Sequence, residues 1–342
     1  MDMLKLATSR YEALPLPIKK DEHWRFADLN FWGGEISKYL ENAQKNAQVL
    51  EKKCSKIFFE KLLNGGKFDA LCALGFAQAK VFEIPQNSHA KISQDALAKI
   101  NIFEIGEGAD VEVFDERNFA GGEFCALANF YFVKRGAKLK VNTFYNSAEN
   151  APRYSRSDFL LQGGASVDDV FVEAGKSKTR AERNFELAGE GANAQIGALL
   201  ACASTAVHDL RTRQHHTSPN SSSNLAVKNI VSDASRAAFA GLIRVEEEAQ
   251  KTQSYQSCRS LLASDKARAS GMPILEILAN DVMCSHGCAV SRPDKEQMFY
   301  MKSRGLAEKA AQNLLLGGFA NEILERFADA DFAERARNSI SL

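Results

Sequence analysis

Short alternating apolar runs recur through the middle of the chain, and each follows a Gly-Ala pair. The pairs start at Gly108, Gly136, Gly164 and Gly191, so the steps are 28, 28 and 27 residues. Apolar residues then occupy every second position, which is the period of a β-strand. A strand unit that repeats at this interval cannot bury its apolar face alone and predicts a stacked architecture. No helical pattern intervenes. The sequence therefore predicts a mainly β fold with a parallel β-helix, right-handed on the grounds of strand twist and crossover handedness.

Two other repeat architectures fit the pattern less well. Leucine-rich repeats need an L-x-x-L-x-L spacing, which is absent from the chain. Left-handed hexapeptide helices need a β-branched residue at multiples of six, and no such register is present.

The pattern divides the chain into three regions. Residues 1–92 are predicted to be mainly helical, residues 93–290 to form the β-helix core, and residues 291–342 to form a C-terminal helical region. Within the core, the Ser-rich segment 217–224 is predicted to be a loop from its composition. Because the open ends of a solenoid expose unpaired strand edges, we expect the helical regions to cap them.

The C-terminal region has an apolar stripe at helical spacing. Asp294 is placed to cap the first helix, and Gly317-Gly318 is expected to interrupt the second. We expect part of the stripe to cap the last coil and the rest to bind a partner. The stripe consists of Phe299, Leu306, Ala310, Leu314, Phe319 and Ile323.

Charge and composition exclude several classes of function. The chain of 342 residues carries 43 basic and 43 acidic side chains, so it has no general electrostatic attraction for nucleic acid or an anionic membrane. Its apolar runs are too short to span a bilayer, and its N-terminus has no basic stretch followed by an apolar run. Seven scattered cysteines do not form a disulfide framework. We therefore expect a cytoplasmic protein.

The densest cluster of potential ligands is Cys284-Ser285-His286-Gly287-Cys288. In an extended strand the side chains of Cys284, His286 and Cys288 share one face. Thiolates and imidazole are soft donors that suit iron–sulfur species, zinc or copper(I), although this one segment does not supply four ligands. The alternative is that the cysteines are small buried apolar residues beside a hydrogen-bonded histidine.

Several other residues with potential chemistry lie outside this cluster. Cys258 lies about one repeat before Cys284, so stacking of coils is expected to bring it near His286. His215-His216 and Glu246-Glu247-Glu248 are interpreted as surface residues. Trp24 and Trp32 are interpreted as anchors of the helical region. The chain has no Gly-x-x-x-x-Gly-Lys-[Ser/Thr] motif, so the common ATP-binding loop is absent.

Three segments carry a resemblance to a known family. Pro273–Gly287 contains P-I-L-E-I followed by D-V-M-C-S-H-G, Gln297–Leu306 reads Q-M-F-Y-M-K-S-R-G-L, and Asp21–Leu29 reads D-E-H-W-R-F-A-D-L. These segments resemble the SufB/SufD family of iron–sulfur cluster assembly proteins. The Cys-Ser-His-Gly phrase is the SufD form, whereas SufB has Glu-His-Glu-Ala at that place. Cys288 departs from the usual alanine, and Ser291 falls near an expected glycine.

Gln256-Ser257-Cys258 is similar to the segment of SufB whose cysteine helps to build the cluster. A SufB-like cluster-building scaffold is therefore the alternative within the family.

The resemblance implies a scaffold subunit without catalytic turnover of its own. Its partners would be a SufB-like subunit, joined through the β-helices, and a SufC-like ATPase on the C-terminal helices. A transient Fe–S cluster or iron would lie at the SufB junction, with His286 as the principal ligand and Cys258, Cys284 and Cys288 as further ones. The sequence leaves open whether the isolated chain is a homodimer and whether the complex binds a flavin.

Two alternatives lie outside the family. A polysaccharide-active β-helix enzyme would need a carboxylate pair at strand spacing and an export signal, and neither is evident in the sequence. A structural solenoid adaptor would leave its cysteines and histidines chemically inert.

Overall fold

The fold is a solenoid of two parallel sheets that face each other. The computed structural model describes residues 3–17, 53–75, 79–122 and 124–340. Each sheet has eight strands, and successive strands along the chain alternate between the two sheets. One strand from each sheet therefore makes one coil. The predicted parallel β-solenoid is confirmed. The segment Asp21–Leu29 and both tryptophans lie outside the described residues.

The strands run from Lys80 to Ser291. The first sheet contains β1 (Lys80–Ile84), β3 (Ile100–Ile105), β5 (Cys125–Val133), β7 (Arg153–Leu161), β9 (Lys178–Leu187), β11 (Val207–His216), β13 (Arg236–Val245) and β15 (Arg268–Ile277). The second contains β2 (His89–Ile92), β4 (Asp110–Phe119), β6 (Lys138–Ser147), β8 (Ser166–Gly175), β10 (Asn193–Cys202), β12 (Ser222–Val231), β14 (Thr252–Leu262) and β16 (Val282–Ser291). Two strands thus fall within the region 1–92 that was predicted to be mainly helical, and the solenoid begins before residue 93.

The Gly-Ala pairs form one corner of successive coils. Gly108, Gly136, Gly164 and Gly191 have φ between 65° and 72°, in the left-handed region that favours glycine. The alanine after each glycine is fully buried. The same corner continues at Asn220-Ser221 and Lys251-Thr252, where φ is 56° and 59° and the second residue is again buried. The structural repeat therefore persists after the Gly-Ala phrase has disappeared from the sequence.

The lumen holds an apolar stack of aromatic rings and also buried polar groups. Phe103, Tyr131, Phe159 and Phe185 stack on successive coils with ring centroids 4.6, 4.7 and 4.5 Å apart. Further along, His216 is fully buried and accepts or donates hydrogen bonds at both ring nitrogens, so its interpretation as a surface residue is wrong. The predicted loop 217–224 ends early, because Ser222 already begins β12 and its neighbouring serines pair with lumen groups.

Helices cover the outer faces of the sheets. The N-terminal helices α1 (Met3–Ala13), α2 (Lys53–Leu63) and α3 (Lys67–Gly75) pack on the outer face of the first sheet. The C-terminal helices are α4 (Lys295–Ser303), α5 (Glu308–Leu324) and α6 (Ala330–Ser339). Of these, α5 and α6 pack on the outer face of the second sheet, where Phe114, Phe144, Val172, Leu199 and Ile230 supply an apolar surface.

Two expectations about the C-terminal region are wrong. The helices do not cap the last coil, because the apolar surface that they cover lies on the side of the solenoid and β16 remains mostly exposed. Gly317-Gly318 does not interrupt α5, which is continuous across both glycines. Asp294 does cap α4, as predicted, and its carboxylate accepts hydrogen bonds from the backbone N–H groups of Glu296 and Gln297. No described helix has the length and apolarity needed to cross a membrane.

Candidate functional site

The candidate ligands lie at the open C-terminal end of the solenoid. β16 pairs with β14 alone and β15 with β13 alone, so these two strands are the last members of their sheets. Along β14, Ser254, Gln256 and Cys258 are buried in the lumen, whereas the residues between them point outward. The register places Cys284, His286 and Cys288 opposite these three residues in turn. All three therefore lie on the lumen side of the last strand, on one face as the sequence predicts.

The register also decides which of these residues are direct neighbours. Cys258 pairs with Cys288, while His286 pairs with Gln256 and is a diagonal neighbour of Cys258. The interval between coils is longer here than in the Gly-Ala region, since hydrogen-bonded partners on adjacent coils are 31 residues apart at Asn229–Ser260 and 28 apart at Asn101–Asn129. Stacking thus brings Cys258 opposite Cys288 and not opposite His286.

The four side chains differ in access to solvent. Cys258 is buried, Cys284 is half-buried, and His286 and Cys288 are exposed because no further coil covers them. Asn229 Nδ2 lies 3.5 Å from the Cys258 Sγ. Burial, with a contribution from the neighbouring Cys288, raises the pKa of the Cys258 thiol to about 12. Burial also raises the pKa of Cys284. Because ligand thiols must be deprotonated, an incoming cation or a base would have to remove the proton from Cys258.

The donor set suits a soft metal species but is incomplete. Among the described residues, no three His, Cys, Asp or Glu side chains are arranged to hold a metal ion. The site nevertheless presents thiols and an imidazole toward an open end, where further ligands can come from another molecule. Whether Cys258, Cys284, His286 and Cys288 bind iron remains a prediction.

The last strand is also an unprotected sheet edge. β16 contains no Asp, Glu, Lys or Arg over its ten residues. Met283 and Val290 are 55% and 47% exposed. Proteins usually protect such edges with charges, prolines or covering segments, because free backbone N–H and C=O groups pair readily with another strand. The lumen-facing donors therefore lie on a strand suited to pairing with a second chain.

A buried polar network leads toward the site from the preceding coils. Gln214 Nε2 donates to Ser223 Oγ at 2.7 Å, and His216 Nε2 lies 2.8 Å from the same hydroxyl. Ser223 and Ser254 are 2.7 Å apart at their hydroxyls. Among the described residues, the buried Oε1 atoms of Gln214 and Gln256 lack a hydrogen-bond partner. The sequence reasoning missed this network, although its polar residues alternate at the strand period in β11, β12 and β14.

A second exposed feature, here called the helical patch, lies on α4, on α5 and on the connection between them. It consists of Phe299, Tyr300, Leu306 and Leu314, of which Phe299 is 75% and Leu314 is 61% exposed. From the predicted stripe, only Phe319 and Ile323 pack on the sheet. Among apolar side chains of this size, such exposure on adjoining helices is typical of an interaction surface.

Comparison with known proteins places the chain in a family. The family model described as "SUF system FeS cluster assembly, SufBD core domain" matches residues 87–319, more than half of the chain. The iron–sulfur cluster assembly protein SufD of Escherichia coli K12 is 32% identical over 235 residues, which cover 66% of this chain and 54% of the relative. The chloroplastic protein ABCI7 of Arabidopsis thaliana is 30% identical over 246 residues, which cover 69% and 50%.

A third relative, a SufBD family protein of Synechocystis, is 33% identical over 172 residues, half of this chain and 38% of the relative. The chain spans about half the length of the first two of these relatives. The solenoid begins at Lys80 and ends at Ser291, so the matched region contains nearly all of it together with α4 and most of α5. The chain belongs to the SufBD family of iron–sulfur cluster assembly proteins and is SufD-like at moderate identity.

Proposed function

We propose that the chain is a SufD-like scaffold subunit of an ATP-driven complex that assembles iron–sulfur clusters. In this role it has no catalytic turnover and works in the cytoplasm, a reducing compartment in which permanent disulfides are rare. The observation that carries the proposal is the last coil, because it combines an uncharged edge strand with soft donors on the lumen side of the same strand.

The edge strand supports a dimer that forms through the solenoids. A SufB-like subunit with a similar open end would extend one or both sheets across the junction, and main-chain hydrogen bonds would supply much of the affinity. In the isolated chain the same edge can pair with a second copy. Either arrangement would cover Met283 and Val290, which are exposed in the single chain.

The nascent cluster is the cargo of this junction. His286 would bind iron through a neutral imidazole nitrogen, and like Cys288 it is exposed on the lumen side. Cys284 and Cys288 would contribute thiolates beside it. The partner's residues would complete the ligand set, consistent with the incomplete set on this chain.

The helical patch is the proposed docking surface for a SufC-like ATPase. The chain has no phosphate-binding loop of the common type, so the energy of ATP would have to come from another subunit. Phe299 and Leu314 offer apolar anchors on adjoining helices, as a helix-in-groove contact requires.

Co-purification of an edge variant tests the proposed junction. We expect Met283→Lys with Val290→Lys to abolish capture of the SufB-like subunit, because charges on an edge oppose strand pairing. Leu16→Lys is a control for each single substitution, Met283→Lys and Val290→Lys, since it places one lysine at an exposed leucine far along the chain. Full capture by the double variant would place the junction elsewhere.

Anaerobic titration of the co-purified pair with Fe²⁺ and sulfide then separates a scaffold from an inert adaptor. A scaffold develops visible absorption that depends on His286. Absence of absorption for the chain and for the pair would support the adaptor.

A further inference from the structure

Two cysteines face each other directly across the last pair of strands. Cys258 on β14 and Cys288 on β16 are register partners in a parallel ladder. Neighbouring strands lie about 4.8 Å apart. Cα atoms of disulfide-bonded cysteines are about 4.4–6.8 Å apart, so the strand spacing in this register lies within the disulfide range. Both Sγ atoms lie within 4 Å of the position that a Cβ on Gly271 would occupy, so the two thiols point to the same place. By contrast, the partner of Cys284 is Ser254, which offers no thiol.

The opposite sheet leaves room for this pair. Gly271 on β15 lies across the lumen, and a methyl group there would overlap the Cys288 Sγ and lie 3.7 Å from the Cys258 Sγ. The φ of Gly271 is outside the left-handed region, so the backbone does not require glycine at this position. Its absent side chain provides the space in which the two sulfur atoms meet.

We propose that Cys258 and Cys288 form a reversible dithiol–disulfide pair that joins the last strand of the solenoid to the strand before it. The pair is a redox modification site on this chain alone, and it does not depend on the proposed role in cluster assembly. When oxidised, it removes two free thiols from the open end and fixes β16, whose one hydrogen-bonded neighbour among the described strands is β14.

Solvent access sets the order of the chemical steps. A peroxide such as hydrogen peroxide reaches the exposed Cys288 first and is reduced as that thiolate becomes a sulfenic acid, with hydroxide leaving. The buried Cys258 then attacks the sulfenic sulfur, the S–S bond forms, and water leaves with the proton of Cys258. In total, two thiols and one hydrogen peroxide give one disulfide and two waters. A small thiol such as dithiothreitol restores the dithiol by exchange.

Peptide mapping of the full-length chain tests the pair. We expect one equivalent of hydrogen peroxide, added to the reduced protein without air, to remove two titratable thiols and to link the peptides that contain Cys258 and Cys288. Dithiothreitol should reverse both changes. Amide hydrogen exchange in β16 should slow upon oxidation, since the strand is then held covalently.

Variants distinguish this pair from general oxidation. Cys284→Ser should form the link as the wild type does, whereas Cys258→Ser should leave a sulfenic acid at Cys288 that dimedone traps. Gly271→Ala should slow formation of the link by crowding Cys288 while leaving the thiols reactive to dimedone. The proposal is overturned if wild-type Cys258 stays reduced while Cys288 is over-oxidised or links two chains.

Discussion

His286 is the residue at which ligand chemistry and stability can be separated. It is exposed at the end of the lumen, so His286→Ala removes an imidazole without creating a cavity. We expect a change of less than about 0.5 kcal/mol in the free energy of unfolding. We also expect loss of maturation of a reporter Fe–S enzyme in cells that rely on this system. Thermal unfolding and reporter activity measure the two effects.

An exposed histidine elsewhere on the solenoid provides the matched control. His89 lies on β2 in the first coils, and its side chain is 86% exposed. His89→Ala should leave both stability and maturation unchanged. Normal maturation with His286→Ala would remove His286 from the proposed ligand set.

At the level of elements, the C-terminal helices have two separable faces. α5 and α6 bury Leu316, Leu324 and Phe332 against the second sheet, whereas the helical patch points away from it. A deletion from about residue 294 onward would remove both faces together. The structure shows that this deletion would uncover an apolar sheet face, so it cannot separate docking from folding.

Substitutions in the helical patch avoid this difficulty. We expect Phe299→Ser with Leu314→Ser to leave the thermal unfolding midpoint nearly unchanged, because both side chains are mostly exposed. The same variant should lose the SufC-like ATPase in co-purification, while capture of the SufB-like subunit stays intact.

A buried leucine on the same helix provides the comparison. Leu316→Ser should lower the unfolding midpoint, since Leu316 packs on the sheet and its hydroxyl replacement would be buried. Full ATPase capture by the patch variant would show that docking uses another surface.

The stability of the whole solenoid is expected to depend on pH through its buried lumen. Burial, with a smaller contribution from the neighbouring His215, lowers the pKa of His216 to about 4. In the unfolded chain the imidazole returns to about 6.5. Between these values the unfolded state binds more protons, so stability falls as the pH falls below about 6.5. The loss from His216 is about 2 kcal/mol at pH 5.

Other buried titratable groups also change the stability with pH, and some of them act in the opposite direction. Burial raises the pKa of Asp69 to about 6, and this carboxyl group favours the folded state as the pH falls. The contribution of His216 is therefore isolated by comparison with His216→Gln. The free energy of unfolding of both proteins is measured by chemical denaturation at pH 7.5 and at pH 5. The variant should lose about 2 kcal/mol less than wild type on acidification. An exposed control, His89→Gln, should follow the wild type, and equal losses in all three proteins would contradict a buried neutral His216.

The local sequence was sufficient to predict the features that depend only on residues within one coil or one turn. Gly136 must adopt a positive φ and Ala137 must fit inside the corner, so the phrase repeats with the coils. The cap at Asp294 depends only on the next three residues. Alternation in β16 placed Cys284, His286 and Cys288 on one face for the same reason.

The tertiary structure decided the pairing of residues between coils and the burial of individual side chains. Both depend on the length of each coil and on the segments that cover it. Coils lengthen from 28 to 32 residues between Asn101–Asn129 and Arg244–Glu276, so no single period could pair Cys258 with Cys288. Whether His216 is buried depends on hydroxyls that come from the following strand. The place of α5 depends on an apolar sheet face assembled from six separate strands. By itself, the sequence determined the solenoid, its corners and the candidate ligands, because these follow from local spacing and backbone conformation. The register at the open end and the face that the helices cover arise only when distant segments meet.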